Sequence, residues 1–245
     1  VLELGMNHAG EIAKLIEIAK PHIALITNIG EAHIQNFKSK DNIAEAKKEL
    51  LNNSDQLQTA ILPRDDDYYQ FLAKDKENLK QITFGFTKEA TINYKILDRQ
   101  TITINTPKEN FNVKINLLGK HNISNILAAC ACSYALGIPI NIIKEGIEAV
   151  KPFPGRLEII DSSSGAIIIN DSYNSNPTSM REAVDVLSSM KGKKILVIGD
   201  MAELGNDTNR YHREIGEYIK SSQIDFTLAI GSNTKITLHQ LNKNN

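Results

Sequence analysis

The feature that most limits the fold of this chain is an alternation of short apolar runs with amphipathic segments. Residues 22–28, 59–62 and 81–86 are apolar enough for buried strands, and residues 11–20 place Ile12, Leu15 and Ile16 on one helical face. Because strands that alternate with helices form parallel sheets, we expect an α/β fold with a mostly parallel central sheet flanked by helices. Residues 2–4 are expected to end a first strand.

Residues 91–117 change to a β-rich, alternating pattern that predicts an antiparallel extension of this sheet. Helical patterns follow over residues 123–136 and 142–150, and an earlier helix is expected to start with Asp41 as its cap and to end near residue 51. The segment KPFPG, residues 151–155, interrupts both periodicities and is the predicted linker. We therefore expect two domains, residues 1–152 and 153–245.

After the linker, the runs RLEIID and AIIIND predict a hairpin, and residues 166–169 are expected to form a buried strand. A second alternation runs through KKILVIG and FTLAIG, which predicts a Rossmann-like α/β domain. The chain opens on VLELG, inside a strand pattern and without Met, so we expect it to be an internal piece of a longer protein.

The composition excludes several partners. A formal net charge of -1 creates no global field for nucleic acid or an anionic membrane, and no apolar run is long enough to span a bilayer. We expect no nucleic-acid partner, no membrane insertion and a monomer. Cys130 and Cys132 fall on different faces of a predicted helix, so neither a disulfide nor a zinc site is expected there.

The densest cluster of polar groups lies in residues 170–180, NDSYNSNPTSM, between a predicted strand and a predicted helix. Open α/β sheets bind ligands at such strand ends. Asp171, Tyr173 and Asn174 supply a carboxylate, an aromatic face and an amide. A polar turn with Asn176 as the helix cap and Pro177 at the first helical position is the structural alternative.

Other candidates follow predicted strands or open predicted helices. Glu3 and His33 could share a cation such as Mg²⁺, with Glu31 as an alternative ligand. Asn122 lies just before an apolar helix and Asn125 one turn further on, where the two amides could contact a base or ribose, or one of them could cap the helix.

Arg156 follows the linker and could form a bidentate contact with a phosphate, or an ion pair with Glu158. The segment GDMAELG, residues 199–205, is a glycine-rich turn that lacks the dinucleotide-binding and P-loop patterns.

Taken in order, these segments resemble the Mur ligases of peptidoglycan synthesis. The matching segments span nearly the whole chain: ELGMNHAGEI (3–12), ITNIGEAHIQNF (26–37), AEAKKEL (44–50), GKHNISNILAACA (119–131), FPGRLE (153–158), NDSYNSNPTSM (170–180) and GDMAELG (199–205). The last two segments favour the member that adds D-alanyl-D-alanine to UDP-N-acetylmuramoyl-tripeptide, and the DNPR motif of the diaminopimelate-adding member is absent.

The resemblance implies a bacterial cytoplasmic enzyme that uses ATP and Mg²⁺. It implies that Glu3 and His33 are metal-associated residues. It also implies that Lys47 is the lysine that family members carbamylate, which would give a carboxylate-like metal ligand.

For the nucleotide, the resemblance assigns contacts to Asn122 and Asn125, and an ATP phosphate contact to Arg156. Asp171, Tyr173 and Asn174 match a loop that closes over the nucleotide. The resemblance assigns no clear role to GDMAELG, which we expect to lie near the incoming dipeptide or the closed cleft.

One departure from the family pattern is the absence of the phosphate-binding loop, GT/S-x-GKT. The resemblance places that loop upstream of Glu3. We expect that loop, the amino-terminal UDP-binding domain and the end of the carboxyl-terminal domain to lie outside this chain, which alone should not catalyse at a useful rate. Two alternatives stay open: another amide ligase of the superfamily, such as a folylpolyglutamate synthetase-like enzyme, and a catalytically silent nucleotide-binding or scaffold domain.

Overall fold

The computed structural model describes residues 1–31, 33–52, 55–76, 78–98 and 100–242. The chain divides into two compact units. Unit 1 comprises Val1–Gly30, Asn36–Leu117 and His121–Lys151, and unit 2 comprises Glu31–Gln35, Leu118–Lys120 and Pro152–Asn245. The domain boundary at residues 152 and 153 stays a prediction. In the described part of the chain, no helix is long and apolar enough to cross a membrane.

Residues 1–151 alternate helices and strands. The helices are α1 (Glu11–Ala19), α2 (Ile34–Phe37), α3 (Lys40–Asn52), α4 (Tyr69–Ala73), α5 (Lys120–Ala135) and α6 (Ile140–Glu148). The strands are β1 (Ile23–Leu25), β2 (Thr59–Pro63), β3 (Lys80–Phe84), β4 (Asn93–Ile96), β5 (Thr101–Asn105) and β6 (Asn110–Lys114).

The first three strands form a parallel sheet in the order β1-β2-β3, with Ala24 opposite Ala60 and Ile61 opposite Ile82. All five residues of the central strand β2 are buried, as expected for a parallel sheet covered on both faces. This sheet supports the loops that follow β1 and β2, which carry several of the candidate side chains.

Strands β4, β5 and β6 form the predicted antiparallel meander. Its alternation buries Ile102 and Ile104 on one face of β5, where they join a core cluster that includes Leu127 and Cys130 of α5. A parallel bridge between Phe84 and Ile92 connects β3 with the start of this region.

Unit 2 contains two small sheets and three helices. In chain order its further elements are β7 (Glu158–Asp161), β8 (Ile167–Asn170), α7 (Pro177–Ser189), β9 (Ile195–Gly199), a 3-10 turn (Gly205–Asp207), α8 (Thr208–Lys220), β10 (Phe226–Ile230) and α9 (Thr234–Leu241). Strands β7 and β8 pair antiparallel, and β9 and β10 pair parallel. Val184, Ile198 and Ile215 lie in the core cluster of this unit.

Two strand predictions were wrong. Residues 1–6 form no strand, and Leu2 is exposed; a strand needs a neighbour to accept its hydrogen bonds, and the described residues offer none there. Residues 167–170 do form a strand, but Ile167 and Ile168 are 67% and 49% exposed. The physical reason is that β8 pairs only with β7, and a two-stranded ribbon leaves both faces uncovered.

The predicted cap of the third helix was also wrong. The helix begins at Lys40, and the Ser39 hydroxyl accepts from the Asn42 backbone N at 3.2 Å. Asp41 therefore lies inside the first turn, where its carboxylate accepts instead from the Tyr68 hydroxyl at 2.5 Å. Ser39 was passed over because local sequence places a helix start only to within a few residues.

Candidate functional site

Lys47 is held against the loop that follows β1. The buried face of α3, formed by Ile43, Ala44 and Ala46, orients the helix, and the Lys47 Nζ donates to the Asn28 carbonyl oxygen at 2.6 Å. Burial lowers the pKa of the Lys47 ammonium, and the nearby Asp66 carboxylate opposes this effect. A larger fraction of Lys47 is thus an uncharged, nucleophilic amine than for a solvated lysine.

Asp66 supports the same loop and was not singled out from the sequence. Its carboxylate accepts from the backbone N of Ile29 at 2.8 Å and from that of Tyr68 at 2.9 Å. Lys47 and Asp66 therefore hold neighbouring residues of the loop after β1. The acidic run of residues 65–67, directly after the buried strand β2, was the available sequence signal.

The motif ELGMNHAGEI is organised by two carboxylates at the start of α1. Glu49 of α3 accepts from the backbone N of Gly10 at 2.7 Å and of Ala13 at 3.0 Å. A negative charge there complements the helix dipole. Glu11 accepts from the backbone N of Asn7 at 2.7 Å. Glu3 lies in the preceding irregular segment, where it is exposed.

Asn122 does not precede its helix, because α5 begins at Lys120 and contains both Asn122 and Asn125. Their three-residue spacing puts them on the same side of its first two turns. Asn122 is half-buried and Asn125 is exposed. The structure therefore does not place Asn122 as a helix cap, and both amides stay candidates for ligand contacts.

In unit 2, the turn FPGRLE is hydrogen-bonded to the loop NDSYN. Asp171 Oδ1 accepts from the Leu157 backbone N at 3.1 Å, and the Gly155 carbonyl accepts from the Tyr173 backbone N at 3.1 Å. Gly155 has a φ of 74°, and a Cβ at this position would lie 3.3 Å from the Tyr173 nitrogen. The close approach of the two segments thus depends on a glycine.

This junction presents a cation over an aromatic ring. The Arg156 guanidinium carbon lies 4.2 Å from the Tyr173 ring centroid, and the Phe153 ring meets Tyr173 edge-on at 6.2 Å. The Glu158 carboxylate accepts from the Gly155 backbone N at 3.1 Å and from the Asn170 amide at 3.3 Å. Glu158 is therefore engaged with those groups, and the exposed Arg156 side chain is stacked on Tyr173.

Some polar groups of NDSYNSNPTSM form hydrogen bonds within the loop, and others are exposed and could contact a ligand. Asn176 caps α7 through a capping box with Ser179, and Pro177 opens the helix, as predicted. Asn174 Oδ1 accepts from the backbone N of Ser175 at 2.8 Å. Tyr173 is 61% exposed, so its ring is the most accessible large surface of the loop.

His33 lies in the short segment of unit 2 that follows β1. Its Nδ1 is 2.7 Å from Glu203 Oε2, a residue of GDMAELG. Glu31 in the same segment accepts from the Thr178 hydroxyl at 3.3 Å. Glu203 was missed from the sequence because 170 positions of chain separate it from His33, and only the fold joins them.

The structure places the predicted metal ligands in different units. Glu3 and Lys47 belong to unit 1 and His33 to unit 2. Among the described residues, no group of three or more His, Cys, Asp or Glu side chains could hold a metal ion. The metal roles of Glu3, His33 and Lys47 stay predictions.

Unit 1 combines a parallel sheet with an antiparallel meander, and unit 2 has one parallel and one antiparallel pair of strands. The Mur ligase middle domain matches residues 1–133, and the Mur ligase, glutamate ligase domain matches residues 155–243. The first match covers more than half of the chain, which therefore belongs to the Mur ligase family. This family generally depends on ATP and Mg²⁺.

Two similar curated proteins share one name. UDP-N-acetylmuramoyl-tripeptide--D-alanyl-D-alanine ligase from Buchnera aphidicola subsp. Acyrthosiphon pisum is 40% identical over 237 residues, which cover 94% of this chain and 52% of that protein. The enzyme of the same name from Escherichia coli is 36% identical, with the same coverage of both chains.

A crystal structure of MurF from Acinetobacter baumannii is similar with a TM-score of 0.92 and 32% identity, covering 98% of this chain and 53% of that one. The predicted mixed α/β fold class is thus confirmed. The chain spans about half the length of the curated relatives it matches.

Proposed function

We propose that the protein carrying this chain is an ATP-dependent ligase that adds D-alanyl-D-alanine to UDP-N-acetylmuramoyl-tripeptide. The observation that carries the proposal is the similarity over 94% of the chain, at up to 40% identity, to ligases named for this reaction. Substrates that are a nucleotide and a UDP-linked precursor imply a cytoplasmic enzyme. A monomer without a nucleic-acid partner is part of the same proposal.

The proposed chemistry is acyl activation. A carboxylate oxygen of the tripeptide attacks the γ-phosphorus of ATP, and ADP leaves, which gives an acyl phosphate. The amine nitrogen of D-alanyl-D-alanine then attacks the acyl carbon, loses a proton and displaces phosphate. No step needs a protein nucleophile, so the contribution of the protein is to position the substrates and neutralise charge.

Lys47 is the proposed site of carbamylation. Its lowered pKa provides the uncharged amine, whose nitrogen forms a bond to the carbon of CO₂ as a proton leaves. The product is an anion where a cation stood. The contact with Asn28 supports the assignment, because it holds the nitrogen at the loop after β1.

Arg156 is the proposed phosphate-binding cation of unit 2. Its guanidinium is exposed and stacked on Tyr173, which orients its donors without an ion pair to Glu158. Asp171 fixes the turn beside it through Leu157. In the same proposal Tyr173 and Asn174 contact the nucleotide.

Asn122 and Asn125 are the proposed nucleotide contacts of unit 1. They share one side of the first two turns of α5, so a single ligand could meet both amides. An amide can donate and accept at once, which suits the edge of a base or the hydroxyls of a ribose.

The full gene product that contains this chain tests the reaction. With ATP, UDP-N-acetylmuramoyl-tripeptide and D-alanyl-D-alanine, we expect phosphate release and a pentapeptide product identified by mass spectrometry. Ligation of glutamate to folate, with none of D-alanyl-D-alanine, would refute the substrate assignment. Absence of any ligation would favour a silent nucleotide-binding domain.

The carbamate has its own test. Lys47→Ala should reduce ligation on the order of a hundredfold or more, because it removes a charged group at the reaction. Lys48→Ala is the matched control, since Lys48 donates to the Phe71 carbonyl instead, at 2.7 Å. With ¹³C-labelled bicarbonate, NMR should show a carbamate carbon in the wild type and in Lys48→Ala. Its persistence in Lys47→Ala would show that the modified residue lies elsewhere.

A further inference from the structure

The motif GDMAELG has no role in the proposed reaction, yet it is firmly fixed in unit 2. Met201 and Leu204 are 3% and 4% exposed and belong to the core cluster of this unit. The two residues between them, Ala202 and Glu203, are both exposed. Because the loop is anchored on each side of Glu203, its carboxylate is presented from a rigid position.

His33 is presented to this carboxylate in a similar way. Its neighbour Ile34 packs against the same core cluster, and Glu31 accepts from the Thr178 hydroxyl. The imidazole Nδ1 then lies 2.7 Å from Glu203 Oε2, a short distance for a nitrogen–oxygen hydrogen bond. Two anchored segments thus meet at one polar contact.

Both partners have unusual backbone conformations. The φ angles of His33 and Glu203 are 57° and 59°, in the left-handed region that residues other than Gly uncommonly adopt, with His, Asn and Asp enriched among those that do. Such conformations persist only where surrounding contacts enforce them, and they concentrate at functional sites.

The ion pair itself cannot be the reason for this strain. The side chains of His33 and Glu203 are 38% and 52% exposed, and half-exposed pairs stabilise proteins very little. A carboxylate that accepts from Nδ1 does fix the tautomer and the orientation of the imidazole ring. It keeps the proton on Nδ1 and fixes the ring plane, so Nε2 retains its lone pair. In the described part of the chain, Nε2 has no hydrogen-bond partner.

We propose that Glu203 is a positioning residue that holds His33 in the Nδ1–H tautomer and directs the Nε2 lone pair toward a ligand. This gives GDMAELG a function that its sequence did not reveal. A contribution of the pair to ligation rests on the proposed function, whereas the tautomer of His33 does not.

The test is ¹⁵N NMR of the His33 ring, recorded well above the ordinary titration range of imidazole. The chain contains six histidines, and His33→Gln assigns the signal by its loss. The wild type should show the Nδ1–H tautomer. Glu203→Ala should shift the ring toward Nε2–H, while Glu203→Gln, whose amide oxygen still accepts from Nδ1–H, should retain the wild-type tautomer.

Asp161→Ala removes an exposed carboxylate of the same unit and should change nothing at His33. An unchanged tautomer in folded Glu203→Ala would overturn the proposal. Circular dichroism checks that this variant folds. If it does not, a wild-type spectrum that shows Nε2–H refutes the proposal by itself.

Ligation by the full gene product provides the second measurement. Glu203→Ala should lower kcat about tenfold with an unchanged KM for ATP, and Glu203→Gln should restore most of it. An active wild type whose Glu203→Ala variant keeps both kcat and tautomer refutes the positioning role alone. A shifted tautomer combined with a wild type that does not ligate D-alanyl-D-alanine refutes the proposed function alone.

Discussion

His212 is the buried polar side chain of unit 2 that offers the sharpest test of its packing. It lies in α8 with 1% exposure, and neither Nδ1 nor Nε2 has a hydrogen-bond partner among the described residues. The Thr237 hydroxyl donates to the His212 backbone carbonyl at 3.0 Å and leaves the ring nitrogens without a donor or acceptor in the described part of the chain. A buried polar group without a partner costs about 1 to 3 kcal/mol. The ring therefore destabilises the fold relative to an apolar side chain of the same shape.

His212→Phe should stabilise unit 2 by about 1 to 3 kcal/mol, because it removes both nitrogens and keeps a flat ring. For a domain of about 100 residues, each kcal/mol of added stability raises the Tm by about 4 to 8 °C. Urea unfolding followed by circular dichroism gives the free energy, and scanning calorimetry gives the Tm. His212→Leu, which adds less volume, serves as a second variant in case the larger ring overpacks the site.

The same residue predicts a pH dependence. Burial lowers the pKa of His212, although the Asp200 carboxylate opposes this effect. In the unfolded chain the ring titrates near pH 6.5, so below about that pH the unfolded state binds more protons than the folded state. Stability is therefore fully present above about pH 6.5, falls as the pH decreases, and levels off below the folded pKa. His212→Phe should lack this component.

His239→Phe is the matched control, since His239 lies exposed in α9 of the same unit. It should change the free energy of unfolding by no more than about 0.5 kcal/mol. If His212→Phe and His212→Leu both destabilise the protein, then the His212 nitrogens have partners in solution and the reasoning fails. A pH dependence that is unchanged in these variants would show that groups other than His212 cause it.

Two further predictions concern backbone contacts of unit 2. Asp200→Ala should lower the free energy of unfolding by about 1 to 2 kcal/mol, because the carboxylate accepts from the backbone N–H groups of residues 232–234 at the start of α9. Burial raises the pKa of Asp200, but these donors outweigh it and lower the pKa, so the stabilisation is present above about pH 4 and is lost on acidification. A urea midpoint for Asp200→Ala equal to that of wild type at pH 7 would contradict this. Gly155→Ala should cost more than the about 1 to 2 kcal/mol of a left-handed alanine, because its Cβ also meets the Tyr173 nitrogen at 3.3 Å. Gly165→Ala, with a φ of 79° and open space around it, isolates the backbone cost. Equal losses in the two variants would show that the contact is unimportant.

Much of the secondary structure follows from local sequence. The apolar run of β2 and the alternation of β5 appear where the patterns predict them, and Asn176 and Pro177 start α7 as expected. These elements depend on interactions between residues a few positions apart, and periodicity and capping chemistry record such interactions directly. The predicted strand at residues 2–4 and the predicted burial of the strand at residues 166–169 failed because both depend on neighbouring strands and helices.

The candidate site shows the same division. The sequence by itself determined which side chains could carry chemistry, Lys47 and Arg156 among them, and that two α/β regions would flank a proline-rich linker. Only the tertiary structure decided that burial lowers the pKa of Lys47, that Arg156 stacks on Tyr173 and that His33 meets Glu203. Burial, dielectric and long-range hydrogen bonds depend on which distant segments pack together, and no local pattern encodes that packing.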